Sequence, residues 1–226
     1  SEDVVVEGVG ASDVEQGFDG SIYICDFGGG WSVNANGAIH KLTPKDAALQ
    51  NAAAELASTF KRGLSSASPL QVTTALTSPD RRLRQMAQFE VVKRGDAGQA
   101  VLLATAKNNA LPVTSRLHGV WGLGQFARQS NTFAIAALIE LSKDSDAEIR
   151  ANAARALGDA SGDGVQARLL EMIANESPRV KSLAIVALSR VAKNGDAAAI
   201  AAIHGAAKAN AGGDIVVLDA CGTARY

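Results

Sequence analysis

Three groups of residues in this 226-residue chain are of types and spacings that can do chemistry. The first is acidic. Asp13, Asp19 and Asp26 precede a glycine loop, Gly28-Gly29-Gly30, and spaced carboxylates beside such a loop can ligate a hard cation such as calcium. Asp19 is accounted for by a turn with Gly20, and Asp26 ends a strand where it can cap the loop. Asp13 and Asp26 remain the acidic candidates. The second group is His118 and Trp121, three residues apart on one expected helix and therefore on one face of it, suited to a surface site. Trp31, just after the glycine loop, can stack on a sugar or simply pack. The third group is a basic series, Arg84, Arg116, Arg150 and Lys181, which can bind phosphate or an acidic partner along one edge. The favoured reading of that series is structural. Arginine's planar fork suits a staple to a carboxylate or carbonyl in its own or the next repeat, and Asp80 and Asp146 are acids at matching positions.

Several chemistries find no footing. The glycine loop does not open a helix, so it fits neither a dinucleotide fingerprint nor a P-loop. His40, His118 and His204 are scattered, and no serine–histidine–acid or cysteine–histidine set shows motif spacing. Asp144 and Asp146 lie in a turn, where capping explains them. Cys25 and Cys221 sit near opposite ends, outside any metal-ligand spacing, and are read as free thiols. There is no Cys-x-x-Cys-His, so this chain attaches no c-type haem, and no catalytic, cofactor or metal residue is assigned. With 22 basic and 23 acidic residues, a net charge of −1 argues against nucleic acid as a partner. No apolar run is long enough to span a bilayer: Val101–Ala106 stops at Lys107.

Composition points to helices that pack closely. Hydrophobic residues make up 47% of the chain, much of it alanine, and aromatics only 4%, which does not suit a β-sandwich. An apolar–basic phrase recurs at Leu83-Arg84, Arg116, Ile149-Arg150 and Val180-Lys181, each followed by a small residue three positions later. A period of that length means stacked supersecondary units. Residues 69–226 divide into about five helical hairpins: 69–96, 97–131, 132–163, 164–196 and 197–226. Asp80, Asp146 and Ser177 stand just before second helices as caps, with Pro178 in a first turn. The second hairpin has Pro112 at that place, so its cap is expected from Asn108 or Asn109, or its turn is longer. Residues 1–42 carry strand signals instead: Val4-Val5-Val6, the Asp19-Gly20 turn, Ser21–Cys25 and Ala38–Leu42. Residues 43–68 read as a linker helix and loop. Thr43 is the expected cap and Pro44 the first helical position, and Leu49, Ala52, Ala53, Leu56 and Phe60 share an apolar face. The expected architecture is mostly α, a solenoid with a small N-terminal β segment.

The phrases 148–158 (Glu-Ile-Arg-Ala-Asn-Ala-Ala-Arg-Ala-Leu-Gly) and 179–188 (Arg-Val-Lys-Ser-Leu-Ala-Ile-Val-Ala-Leu) resemble the bacterial HEAT-like repeat, the short helical hairpin also found in phycobilin lyases. The first segment has a resemblance of its own. Ser12-Asp13-Val14, residues 18–26, Gly30-Trp31 and residues 37–42 are similar to the closing blade of a sorbosone-dehydrogenase-like β-propeller, as in the large secreted dehydrogenases of planctomycetes and their relatives. There the propeller precedes HEAT-like repeats and often a cytochrome c domain. That resemblance implies an inward-facing acid at Asp13, a packing role for Trp31, and a parent oxidoreductase outside the cytoplasm that passes electrons from a sugar-like alcohol to haem c in another domain. Most of a propeller is missing and the chain opens at Ser1, so it is read as a piece of a larger or split protein. The expected function is a non-catalytic interaction or spacer module, its partner another protein or a neighbouring domain. The alternatives are a stand-alone adaptor and a lyase-type repeat enzyme.

Overall fold

The computed structural model describes residues 6–28 and 36–224. Val4, Val5, Gly29, Gly30 and Trp31 lie outside the described residues. The chain forms two compact units, Ser1–Leu64 and Ser65–Tyr226.

In the first unit, β1 (Ala11–Gln16), β2 (Ile22–Asp26) and β3 (Ala38–Leu42) form an antiparallel meander in chain order. β1 is polar and exposed along its whole length, so no alternation marks it; pairing with β2, Glu15 opposite Tyr23, makes it a strand. The β1–β2 turn is tied by Asp19, whose Oδ1 accepts from the Ser21 N–H at 3.1 Å while Oδ2 meets Lys41 Nζ at 2.7 Å and the Tyr23 hydroxyl at 3.0 Å. The hydrogen bond from Lys41 leads in holding the Asp19 carboxyl well below its ordinary range. Gly20 has φ +76°, and a Cβ there would come within 2.3 Å of the Ala53 Cβ. Only glycine meets both conditions.

The helix α1 (Ala47–Arg62) belongs to this unit. Its cap is Asp46, not Thr43, because the Asp46 carboxylate reaches the Leu49 N–H at 2.9 Å; Pro44 stays outside the helix and its carbonyl accepts from Gln50. Of the expected apolar face, Ala53, Leu56 and Phe60 are half-buried, with Phe60 edge-on to Phe18 at 5.0 Å. Ala52 is exposed, and Leu49 is 60% exposed.

The second unit is a run of helical hairpins: α2 (Pro69–Leu76) with α3 (Arg81–Lys93), α4 (Asp96–Lys107) with α5 (Val113–Ala127), α6 (Thr132–Leu141) with α7 (Ala147–Leu157), α8 (Val165–Asn175) with α9 (Pro178–Val191), and α10 (Ala197–Ala209) with α11 (Ile215–Thr223). Second helices pack on second helices: α3 on α5, α5 on α7, α7 on α9, α9 on α11. Contacts within hairpins and between neighbouring hairpins together bury Leu102, Leu123, Ile149, Leu157, Ile185 and Leu188. Asp80 and Asp146 cap α3 and α7 through first-turn N–H groups. Ser177 holds the cap position of α9 without a side-chain bond, and Asp214 caps α11. The α4–α5 connection departs from the expected asparagine cap. Asn108 bonds the Ala110 N–H inside the turn, and Pro112 itself stands at the cap of α5.

The three arginines of the basic series are staples to backbone carbonyls, joined at Arg116 and Arg150 by a carboxylate of the next hairpin, but the acids are not Asp80 and Asp146. Arg84 donates through Nη1 to the Ser78 and Pro79 carbonyls at 2.6 and 2.9 Å. Arg116 is 3% exposed; its Nε donates to the Ala106 carbonyl at 2.7 Å and its Nη2 to Asp144 of the next hairpin at 2.5 Å. Arg150 holds the Asp144 and Ser145 carbonyls and grips Glu176 of the next hairpin with two bonds. Asp80 and Asp146 are not the acceptors, since each carboxylate turns back onto its own helix start. Lys181 makes no such staple among the described residues.

Two pairs of variants test this packing by urea denaturation. Arg116→Met strands a buried carbonyl and Asp144, and should cost about 3 kcal/mol or more. Lys181→Met should stay within about 0.5 kcal/mol. Gly119→Ala drives a Cβ to 2.5 Å from the Leu102 carbonyl and should destabilise despite alanine's better helix propensity. Gly205 faces open space in α10, so Gly205→Ala should stabilise by up to about 1 kcal/mol.

Candidate functional site

Side-by-side packing of second helices leaves a groove of about 800 Å³ across α3, α5 and α7. Each helix contributes residues at helical spacing, hence one face. α3 supplies Arg81, Gln85 and Phe89, four apart in each step. From α5 come Trp121 and Gln125, followed by Arg128 at its C-terminal cap. α7 gives Asn152 and Arg155, with Asp159 just beyond its end. Small residues set the helix spacing beneath: a Cβ on Gly124 would lie 3.2 Å from that of Ala156, and one on Gly122 2.5 Å from the Leu102 side chain.

A chain of polar contacts runs across the floor. His118 is 4% exposed, and its Nδ1 lies 2.8 Å from Gln88 Oε1. The imidazole meets the Trp121 ring edge-on at 4.9 Å. Trp121 Nε1 donates to Asn152 Oδ1 at 2.9 Å, and Asn152 Nδ2 donates to the Glu148 carbonyl, also at 2.9 Å. Trp121 is thereby held in one orientation while 40% of it faces the groove, beside Phe89 at 45%. Burial, aided by the positive charge of Arg84, pulls the His118 pKa down to about 4. The ring is therefore neutral at pH 7, and its proton on Nδ1 is the one Gln88 Oε1 accepts. A ring fixed in this way orients Trp121.

The described residues 100–189 and 135–215 match the family model for HEAT repeats, a little over half of the chain between them. This chain belongs to the HEAT-repeat family. Its helical solenoid is an architecture that serves protein interaction, and the groove is formed by α5 and α7, within the matched residues, together with α3, which precedes them. Among curated proteins none matches the chain. No helix of the described residues is long and apolar enough to cross a membrane.

Among the residues singled out from sequence, His118 and Trp121 come together in this groove. Asp13 is exposed on β1 of the other unit, its carboxylate bonded to the Val14 N–H. Asp26 accepts the Gly10 and Gly28 N–H groups at 3.0 and 2.8 Å and meets His40 at 3.0 Å. The Gly28 bond, then His40, holds its carboxyl below the ordinary range. Among the described residues no group of three or more histidines, cysteines, aspartates or glutamates is placed to hold a metal ion. Cys25 is exposed, and Cys221 is buried with its thiol 3.6 Å from the Ile203 carbonyl.

Sequence reasoning missed Phe89, Arg81, Arg155 and Asn152. A signal for Asn152 exists in the period. Gln88 and His118 are 30 residues apart, while Trp121 with Asn152, Arg128 with Asp159, and Glu148 with Arg179 are each 31 apart. Polar residues one repeat apart face each other because the second helices lie side by side in near register.

The buried histidine links stability to pH. Its ordinary pKa is 6.5, so between pH 6.5 and about 4 the unfolded chain binds a proton that the folded chain refuses. Stability therefore falls as pH drops through that window, by roughly 2 kcal/mol at pH 5. Carboxylates such as Glu148, held low chiefly by its hydrogen bond from Arg179, add their losses mainly below their ordinary 4.5. Urea midpoints at pH 7 and pH 5 should differ clearly for the natural chain and much less for His118→Gln.

Proposed function

We propose that this chain is a non-catalytic interaction module, and that the groove across α3, α5 and α7 is its docking surface. One observation carries the reading: within HEAT repeats, an open groove presents two partly exposed aromatic side chains, Phe89 and Trp121, with Trp121 fixed by Asn152 behind it. Pre-oriented aromatic rings at the centre of a concave surface are the usual anchors of a protein–protein contact. Among the described residues the lining of the groove includes no serine, threonine, cysteine or lysine to serve as a nucleophile.

The finer reading places the module in a larger sugar-dehydrogenase-like oxidoreductase working outside the cytoplasm. It is supported by the resemblance of residues 12–42 to a closing propeller blade and by the order of a β segment followed by HEAT repeats. The described strands form an up-and-down antiparallel meander, the pairing a propeller blade uses, although three strands are fewer than a full blade. In that parent the solenoid holds the propeller or its electron acceptor, and both the redox group and the haem belong to other domains.

Selection of peptides from a fully random displayed library tests the module. Binders should be enriched on the natural chain and lost on Trp121→Ala. If no Trp121-dependent binder emerges, the docking reading fails. A dehydrogenase assay on this chain alone should show no turnover, and measurable turnover would refute a non-catalytic module.

A further inference from the structure

We propose that the groove takes an acidic peptide segment in extended conformation. This deepens the docking reading and rests on it. The argument is charge complementarity. Three arginines from three successive hairpins, Arg81, Arg128 and Arg155, face the groove, and among the described residues Asp159 is the one carboxylate lining it. Asp159 is already engaged, accepting Arg128 Nε at 3.2 Å and Arg190 Nη1 at 3.1 Å. Arg81 and Arg155 are exposed and make no ion pair among the described residues. This contrasts with the staple arginines, which are consumed by their own turns and the following hairpin. A chain of net charge −1 thus gathers uncompensated positive charge on the face that also presents its groove aromatics.

The remaining lining suits a polypeptide backbone. Gln85, Gln125 and Gln129 each offer an amide donor and acceptor to the groove and make no side-chain bond within the described residues. Helix axes in contact lie roughly 8–10 Å apart, so three adjacent helices span about 20 Å. An extended segment rises about 3.3 Å per residue, so about six residues cross the groove. Acids two or more positions apart on such a segment reach Arg81 on one side and Arg128 or Arg155 on the other. One apolar side chain between them lies on Phe89 and Trp121. A nucleic acid fits less well, because it calls for a basic track along its backbone, and this face offers three arginines on a chain with no basic excess.

Fluorescence anisotropy on the full chain tests this with labelled pools of about twelve residues. One pool fixes alternate positions as Glu and randomises the others, the second fixes the same positions as Gln, and the third probe is an oligothymidylate. The Glu pool should bind at least about tenfold more tightly than the Gln pool. That preference should vanish in the double variant Arg81→Glu/Arg155→Glu, whose circular dichroism should be unchanged because both side chains are exposed and unpaired. Equal binding of the two pools, both lost on Trp121→Ala, overturns the acidic assignment and leaves the groove as docking surface. Failure of both pools to bind sinks the two readings together. An oligothymidylate that binds as tightly as the Glu pool, and is lost on charge reversal, overturns the peptide in favour of nucleic acid.

Discussion

The second unit depends on how closely its second helices approach their neighbours. α5 carries Gly119, Gly122 and Gly124 in one fifteen-residue helix, a composition that weakens a helix in isolation. In place, a Cβ at Gly119 would stand 2.5 Å from the Leu102 carbonyl, and one at Gly158 2.7 Å from the Ala187 backbone. Backbone packs on backbone, and the large side chains of the core, Leu102, Leu123, Leu157 and Leu188, fill the space to either side. The same approach brings residues one repeat apart into hydrogen-bonding range, which creates both the staples and the polar floor of the groove.

Arginine acts in two ways here, and surroundings alone separate them. Arg116 and Arg150 start second helices, lie largely buried, and gain a carboxylate from the next hairpin. Arg84 holds the same position in α3 and keeps its two turn carbonyls, yet its Nε is buried without a partner. The reason lies one hairpin on. The turn at 108–112 carries asparagine, alanine, leucine and proline where later turns carry Asp144 or Glu176. The positive charge left beside α5 helps depress the pKa of His118. Arg81 and Arg155, on the groove face of the same helices, are exposed and meet no carboxylate among the described residues.

A solenoid of this kind builds a recognition surface with no dedicated loop. The groove is a by-product of side-by-side helices, and its specificity comes from whichever residues fall at the three or four exposed positions of each helix. Phe89, Trp121, Arg81 and Arg155 occupy such positions, each with an exposed side chain. The hidden polar row of Gln88, His118 and Asn152 supports them from below and keeps Trp121 in one place.

Much of the fold was legible because helical hairpins announce themselves locally. Turn residues such as Gly95 and Gly195, caps such as Asp146, and the apolar–basic phrase are all read within a few residues of one another. Strand β1 and the cap at Asp46 were not, since the first is decided by its partner strand and the second by which oxygen reaches the Leu49 N–H. His118 and Trp121 could be paired from their spacing on one helix. Phe89, Asn152, Arg81 and Arg155 could not, because their neighbourhood is made by contacts across hairpins. The sequence by itself determined the repeat, its period and several of the helix starts, such as those at Asp80 and Asp146, since these follow from local periodicity and capping. Only the tertiary structure decided which arginines are consumed as staples and which face the groove, because that depends on whether a carboxylate one repeat away lies within reach.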